Sequence, residues 1–310
     1  MWARLRADRF LLFGLRGQDR SWRGIGLLAL VYFGAYLVAG LLAPALWLAV
    51  QAAAAQPGAA DFWHWLGRHA LPRYVDRLRM LAAAAALLWL IGRCGLWGRF
   101  GFFWNRPGAL RGMLDWLLLG VATIALVAGW RLLSGAAPDA AVPAAGRVAR
   151  VLAGALAGAL LLAWLEEAIF RGMVLRIFYT ALAPLPALIL SALFFAMVHF
   201  KRVPWPDGTE VGWLSGLEVA WRGSLSVVHT FDPGRFATLV LVGLVLGVLF
   251  LRTGSLLPCL GLHAGWVWAR GTWEKLGGAP VMETWPTLLL LSLLLLWLSR
   301  DAWRRPAAPA

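Results

Sequence analysis

The sequence predicts an all-α fold, a polytopic membrane helical bundle of about eight transmembrane helices. Of its 310 residues, 61% are hydrophobic and only 14% charged, far too apolar for an ordinary soluble surface. Apolar runs recur from Ile25 to Leu298, several of them near the ~20 residues that cross a bilayer. The formal charge of +14 comes from Arg residues gathered in the short connections between those runs. In a soluble chain such a charge would suggest nucleic acid; placed here it is a topology signal, and the bilayer is the expected partner.

The basic N-terminus, with Arg4, Arg6, Arg9, Arg16, Arg20 and Arg23, precedes a long apolar run without a small-residue cleavage site. It reads as a retained first span, Ile25 to Val50, kinked or ended by Pro44. Gln56-Pro57-Gly58 breaks the chain, and an aromatic stretch follows in which His64 and His69 read as interface polar groups. Span two is expected at Leu78 to Ile91 and span three at Met113 to Leu133. The connection between them holds Arg93, Arg99, Arg106 and Arg111 and no acid, so it is assigned to the cytoplasm; the Pro138-to-Gly146 segment, with Asp139 alone, is assigned to the other side.

Span four runs from near Arg147 toward Tyr179, long for one crossing. Span five is expected at Ala187 to Phe200 after the break at Pro184 and Pro186. A long connection with Trp205, Trp213 and Trp221 reads as an extracytoplasmic loop with a short interfacial helix, His229 lying beyond any span. Spans six, seven and eight are placed at Phe236 to Leu251, Leu256 to Trp268 and Leu288 to Leu298. Eight spans with both termini inside put every Arg-rich short connection on one side. One membrane domain, residues 1–310, is expected, and the Arg-over-Lys, Ala-rich composition points to a bacterial inner membrane. Cys94 and Cys259 match no metal or redox spacing.

The chemistry centres on Trp164 to Gly172, where Glu166 and Glu167 interrupt an apolar run. A charge at mid-bilayer costs about 2.5–3.5 kcal/mol, so adjacent carboxylates need a reason. Glu167 and Arg171 are four apart and share a helix face, whereas Glu166 points about 100° away. The expected division of labour follows: Glu167 pairs with Arg171 and Glu166 does chemistry. A buried ion cluster with a purely structural role is the competing account of these three residues. Two further apolar segments each carry a lone His, His199 and His263. In a hairpin of spans four and five, Glu166 lies 17 residues before Ala183 and His199 16 after it, each ~25 Å along its helix. They share a level, and His263 reaches it if that hairpin projects further into the cytoplasm. One carboxylate and two imidazoles are a minimal set for activating water, with or without a metal.

Glu166-Glu167-x-x-x-Arg171, then Ser191-Ala192 and Phe195-x-x-x-His199, then Leu251-Arg252-Thr253-Gly254-Ser255-Leu256 leading into His263-Ala264, resemble the type II CAAX prenyl endopeptidases and bacteriocin-processing proteases. This is the CPBP, or Abi, group of intramembrane metalloproteases. The resemblance covers about Arg147 to Arg270, residues 147–270 being the expected catalytic core. It implies that Glu166 is the catalytic glutamate, with Glu167, Arg171, His199 and His263 completing the catalytic set. Where the family usually has Asn four residues after the second His, this chain has Val267, and its only Asn is Asn105. The indole of Trp266 or a backbone N–H is then left to stabilise an oxyanion.

The expected activity is hydrolysis of a peptide bond in a membrane-associated peptide or protein. Glu166 is the general base on a water held by His199 and His263, directly or through Zn or another divalent metal. Glu166, His199 and His263 also make an acceptable three-ligand zinc set, in which case Glu167 or a water network serves as base. Two other readings fit: a degenerate member that binds without cutting, favoured by Val267, and a transporter using the Glu/His cluster. The absence of matched repeats or broken helices speaks against the transporter.

Overall fold

The structure, a computed structural model, describes residues 23–93, 101–135, 145–200, 205–206, 208–229 and 231–300. Cys94, Arg99, Asp139, Asp207 and the basic terminal segments lie outside the described residues. Among the described residues all regular structure is helical, as the sequence predicts. Two compact units are distinguished, Leu96–Ala196 with Asp232–Ala310, and Trp22–Gly95 with Met197–Phe231.

The second unit is built on α1 (Arg23–Ala54), with α2 (Asp61–Gly67), α3 (Leu71–Arg93) and α8 (Ser215–His229) around it. Pro44 does not end α1, which continues to Ala54. Side chains fasten the α2 turn: Trp47 Nε1 donates to the His69 carbonyl at 3.0 Å and Gln51 Nε2 to the Gly67 carbonyl at 2.9 Å. Arg79 on α3 pairs with Asp76 at 2.7 Å and lies over the Tyr36 ring at 5.0 Å.

The other unit holds α4 (Ala109–Leu133), α5 (Ala145–Ile169), a π-helical turn (Phe170–Val174), α6 (Leu175–Ala181), α7 (Pro184–Val198), α9 (Pro233–Thr253), α10 (Leu256–Lys275) and α11 (Trp285–Ser299). Helix α10 is its axis, packed on α4, α5 and α9. Glycines bring it close to α4: a Cβ at Gly261 would fall on the Met113 carbonyl, and one at Gly265 on the Leu117 carbonyl. This small-xxx-small spacing lets backbones touch where apolar side chains gain nothing over lipid. Residue 263, two positions from each glycine, faces the other way, because two residues turn an α-helix by about 200°. The connection into α10 is equally defined. Gly254 closes α9 in the left-handed region, φ +65°, Ser255 caps α10 through the Leu257 N–H, and the Leu256 N–H donates to the Gly101 carbonyl at 2.8 Å.

Among the described residues four helices are long and apolar enough to cross a membrane: Gly24–Ala54, Ala109–Leu133, Ala145–Tyr179 and Pro233–Thr253. The last three match spans three, four and six, and the first matches span one. The other expected spans are shorter or more polar. Helix α7 and α11 are apolar but have 15 residues each. Helix α3 carries Arg73, Asp76, Arg77 and Arg79, and α10 carries His263, Arg270, Glu274 and Lys275. Span five ends earlier than expected, at Val198. The Phe200 N–H reaches the Met197 carbonyl at 3.2 Å, tightening the end to i→i+3, so His199 sits in the turn just past the helix.

Candidate active site

Glu166 and Glu167 end α5, and the chain passes directly into the π-helical turn that contains Arg171. Such one-turn widenings are frequent at functional sites. From Phe170 to Ile177 every residue is buried, so this part of the run has no lipid face. Within it Arg171 Nη1 donates to Glu167 Oε1 at 2.9 Å, the pair that the four-residue spacing predicts. Both side chains are fully enclosed, 2% and 0% exposed. The guanidinium is held from two further sides: Nη2 donates to the Gly243 carbonyl of α9 at 3.3 Å, and the Phe195 ring of α7 lies 4.8 Å from Cζ. A buried charge with a carboxylate, a carbonyl and an aromatic face around it is one whose geometry is over-determined.

His263 arrives from α10 on the face opposite the glycine contacts. Its Nδ1 lies 2.8 Å from Glu167 Oε1, and its Nε2 lies 3.7 Å from Glu166 Oε2. The carboxylate can only accept, so Nδ1 carries a proton and donates it. In the neutral imidazole Nε2 is then the lone-pair nitrogen, turned toward Glu166. The Phe195 ring meets His263 edge-on at 6.3 Å, walling the imidazole on the α7 side.

The structure thus brings together Glu166, Glu167, Arg171 and His263. His199 lies half-buried at the end of α7, in the other unit. The expected pairing of Glu167 with Arg171 is present, and a second contact adds to it. Glu167 is more than the partner of Arg171, since the same oxygen that accepts from Arg171 also accepts from His263. A helical wheel of one segment shows the first contact and is blind to the second, which comes from 96 residues away. Phe195 and Gly243 were equally invisible as neighbours of the cluster, although Phe195 stands in the Phe-x-x-x-His motif.

The indole of Trp266 is excluded as an oxyanion donor in this arrangement, because Nε1 donates to Thr123 Oγ1 at 2.8 Å. Val267 is half-buried on α10, and Asn105 is exposed in the connection before α4, so neither supplies the missing amide. A cleft between α4, α10 and α11 is lined by Thr123, Ile124, Val127, Trp266, Leu290 and Leu291 among others, and no Glu or His borders it.

The donor set can be judged against a divalent cation. Ligand atoms ~2 Å from a tetrahedral ion stand a little over 3 Å apart, and Glu166 Oε2 and His263 Nε2 are 3.7 Å apart. A ligating imidazole usually gives its other N–H to a carboxylate, as His263 gives Nδ1–H to Glu167. These two side chains fit. Among the described residues no three His, Cys, Asp or Glu are grouped so as to hold a metal.

No curated protein and no solved structure matches the chain. A family model does: Type II CAAX prenyl endopeptidase Rce1-like, over residues 148–269. The match begins just before α5 leaves its first turn and ends within α10, so it takes in all four clustered residues and His199. Over residues 148–269 the chain therefore matches the Rce1-like domain of type II CAAX prenyl endopeptidases.

Proposed function

We propose that this domain is an active intramembrane endopeptidase, hydrolysing a peptide bond of a membrane-associated peptide or protein. The observation that carries the reading is the placement of His263 between two carboxylates, Glu167 fixing Nδ1 and Glu166 facing Nε2. One water can reach both Glu166 Oε2 and His263 Nε2, since each hydrogen bond needs only ~2.8 Å. Glu166 takes a proton from that water as its oxygen adds to the substrate carbonyl carbon. The same carboxyl then gives the proton to the departing amine as the C–N bond breaks, leaving a carboxylate and an amine. Glu167 and Arg171 take no proton; they hold the imidazole in the tautomer that keeps Nε2 toward the water. His199 completes the water-holding set in this proposal. If a divalent metal is used, Glu166, His199 and His263 hold it, and it lowers the pKa of bound water. The Abi and metalloprotease assignments belong to this proposal, as does placement in a bacterial inner membrane.

Val267 favours a second reading, a member that binds substrate and cuts slowly or not at all. One experiment separates them. Wild type and Glu166→Gln, reconstituted in liposomes, are incubated with lipid-anchored peptides, prenylated and unprenylated, and products are read by mass spectrometry. Cleavage by wild type alone supports the protease. Binding of a peptide without cleavage by either protein supports the second reading and overturns the first.

A further inference from the structure

We infer that helix α8 lies within the bilayer, with Trp221 and Leu225 on it and Trp213 and Leu214 in the turn just before it facing lipid acyl chains, and is not an aqueous or surface-lying segment. The depth comes from α1. That helix has 32 residues, about 48 Å at 1.5 Å per residue, against a hydrocarbon core of ~30 Å. Gly40 is ~26 Å from the Arg23 end. Whichever ~30 Å of α1 crosses the core, Gly40 is inside it, and tilt only draws more of α1 inside.

Helix α8 is docked at that depth. A Cβ on Gly216 would fall on the Gly40 carbonyl, and a Cβ on Gly40 would come 2.6 Å from a methyl of Leu217. The backbones are in contact there. The buried side of α8 continues as Val219, Ala220 and Gly223, small residues that permit the approach, with Val219 and Ala220 packed among Tyr36, Ala39 and Ala43 of α1.

The opposite side is what a lipid contact requires. Trp213 and Leu214 are 76% and 70% exposed, and Trp221 and Leu225 are 67% and 45% exposed. In water this would be an unexplained apolar patch. On α1, Leu37 and Leu41, which flank Gly40, are also exposed. The charges on the same side, Glu218 and Arg222, are four apart and joined at 2.6 Å, so α8 takes no net charge into hydrocarbon. The partner is therefore the acyl region of the bilayer, and the inference stands whether or not the protein is a protease.

Collision accessibility of nitroxide labels tests it on the full chain in liposomes. Labels go at Trp221→Cys, Leu225→Cys and Leu214→Cys in a Cys94→Ser background; Cys259 is buried. Leu41→Cys on α1 is the lipid reference and Asn105→Cys the water reference. The expected result is an oxygen-to-nickel-chelate collision ratio at Leu214 and Trp221 that follows Leu41, with nickel access several-fold below that at Asn105. A ratio matching Asn105 at these positions, in variants whose melting is unchanged, overturns the inference. Using three sites keeps the test decisive if one variant fails to fold.

Discussion

Changing Glu167 to Gln removes one negative charge from a site where two donors converge on a single oxygen. Arg171 is 2% exposed and 2.9 Å from that oxygen, so in the variant its charge keeps only the Gly243 carbonyl and the Phe195 face. Breaking a buried ion pair in this way costs about 3–5 kcal/mol. The double change Glu167→Gln with Arg171→Leu removes the orphaned charge and should recover at least half of that loss. Activity should not recover. His263 still lacks the carboxylate that holds its tautomer, and loss of such an orienting partner costs roughly 10–100-fold. Detergent melting and peptide cleavage of wild type, both single variants and the double variant give the two readouts. Glu166→Gln is the comparison: near-normal melting with hydrolysis abolished. Equal melting losses in Glu166→Gln and Glu167→Gln would refute the different roles assigned to them. So would a double variant that regains activity along with stability.

Four further outcomes are expected. His199→Ala and His263→Ala should each abolish cleavage, and retained turnover in His199→Ala would remove it from the water-holding set. Val267→Asn should raise turnover, by up to the ~10²-fold that a single oxyanion donor is worth; an unchanged rate in a well-folded variant would show that a backbone N–H already serves. Gly265→Leu should lower melting sharply, by more than the ~1–3 kcal/mol of ordinary overpacking, because the added side chain meets the Leu117 carbonyl; normal melting would refute the close approach of α4 and α10. A reporter fused after Asn105 should be cytoplasmic and one inserted near Asp207 extracytoplasmic, and finding both on one side would remove the expected topology.

The sequence made the helical class and the Glu167–Arg171 pair legible because both follow from local periodicity. It placed both ends of α9 and the start of α10 to within a few residues, since Pro233, Gly254 and Ser255 are strong local signals, but ended α10 at Trp268, seven residues short of Lys275. It missed what depends on contact between distant segments. The Glu167–His263 hydrogen bond requires knowing that Gly261 and Gly265 face α4, which turns His263 toward α5. The end of α7 was set too late because apolar character continues through Phe200 while the helical bonding stops at Val198. The Gly40–Gly216 contact that docks α8 on α1 has no signature beyond two ordinary glycines.

The π-helical turn carries a consequence for how this chain tolerates length change. A widened turn is equivalent to one residue inserted into a regular helix. Deleting a single residue there, Gly172 for instance, would let Phe170–Val174 relax into the uniform helix on either side. The helix after it would then keep nearly its present orientation and depth relative to the glutamates, because five residues in the widened turn rotate and rise about as far as four in a regular helix. Arg176, buried against the Phe250 ring at 5.2 Å, would stay close to it, and the change would fall on the residues of the turn itself, Arg171 among them. A one-residue gap at this point in a related sequence is therefore a smaller difference than the same gap elsewhere in the helix, where everything beyond it would turn by about 100°.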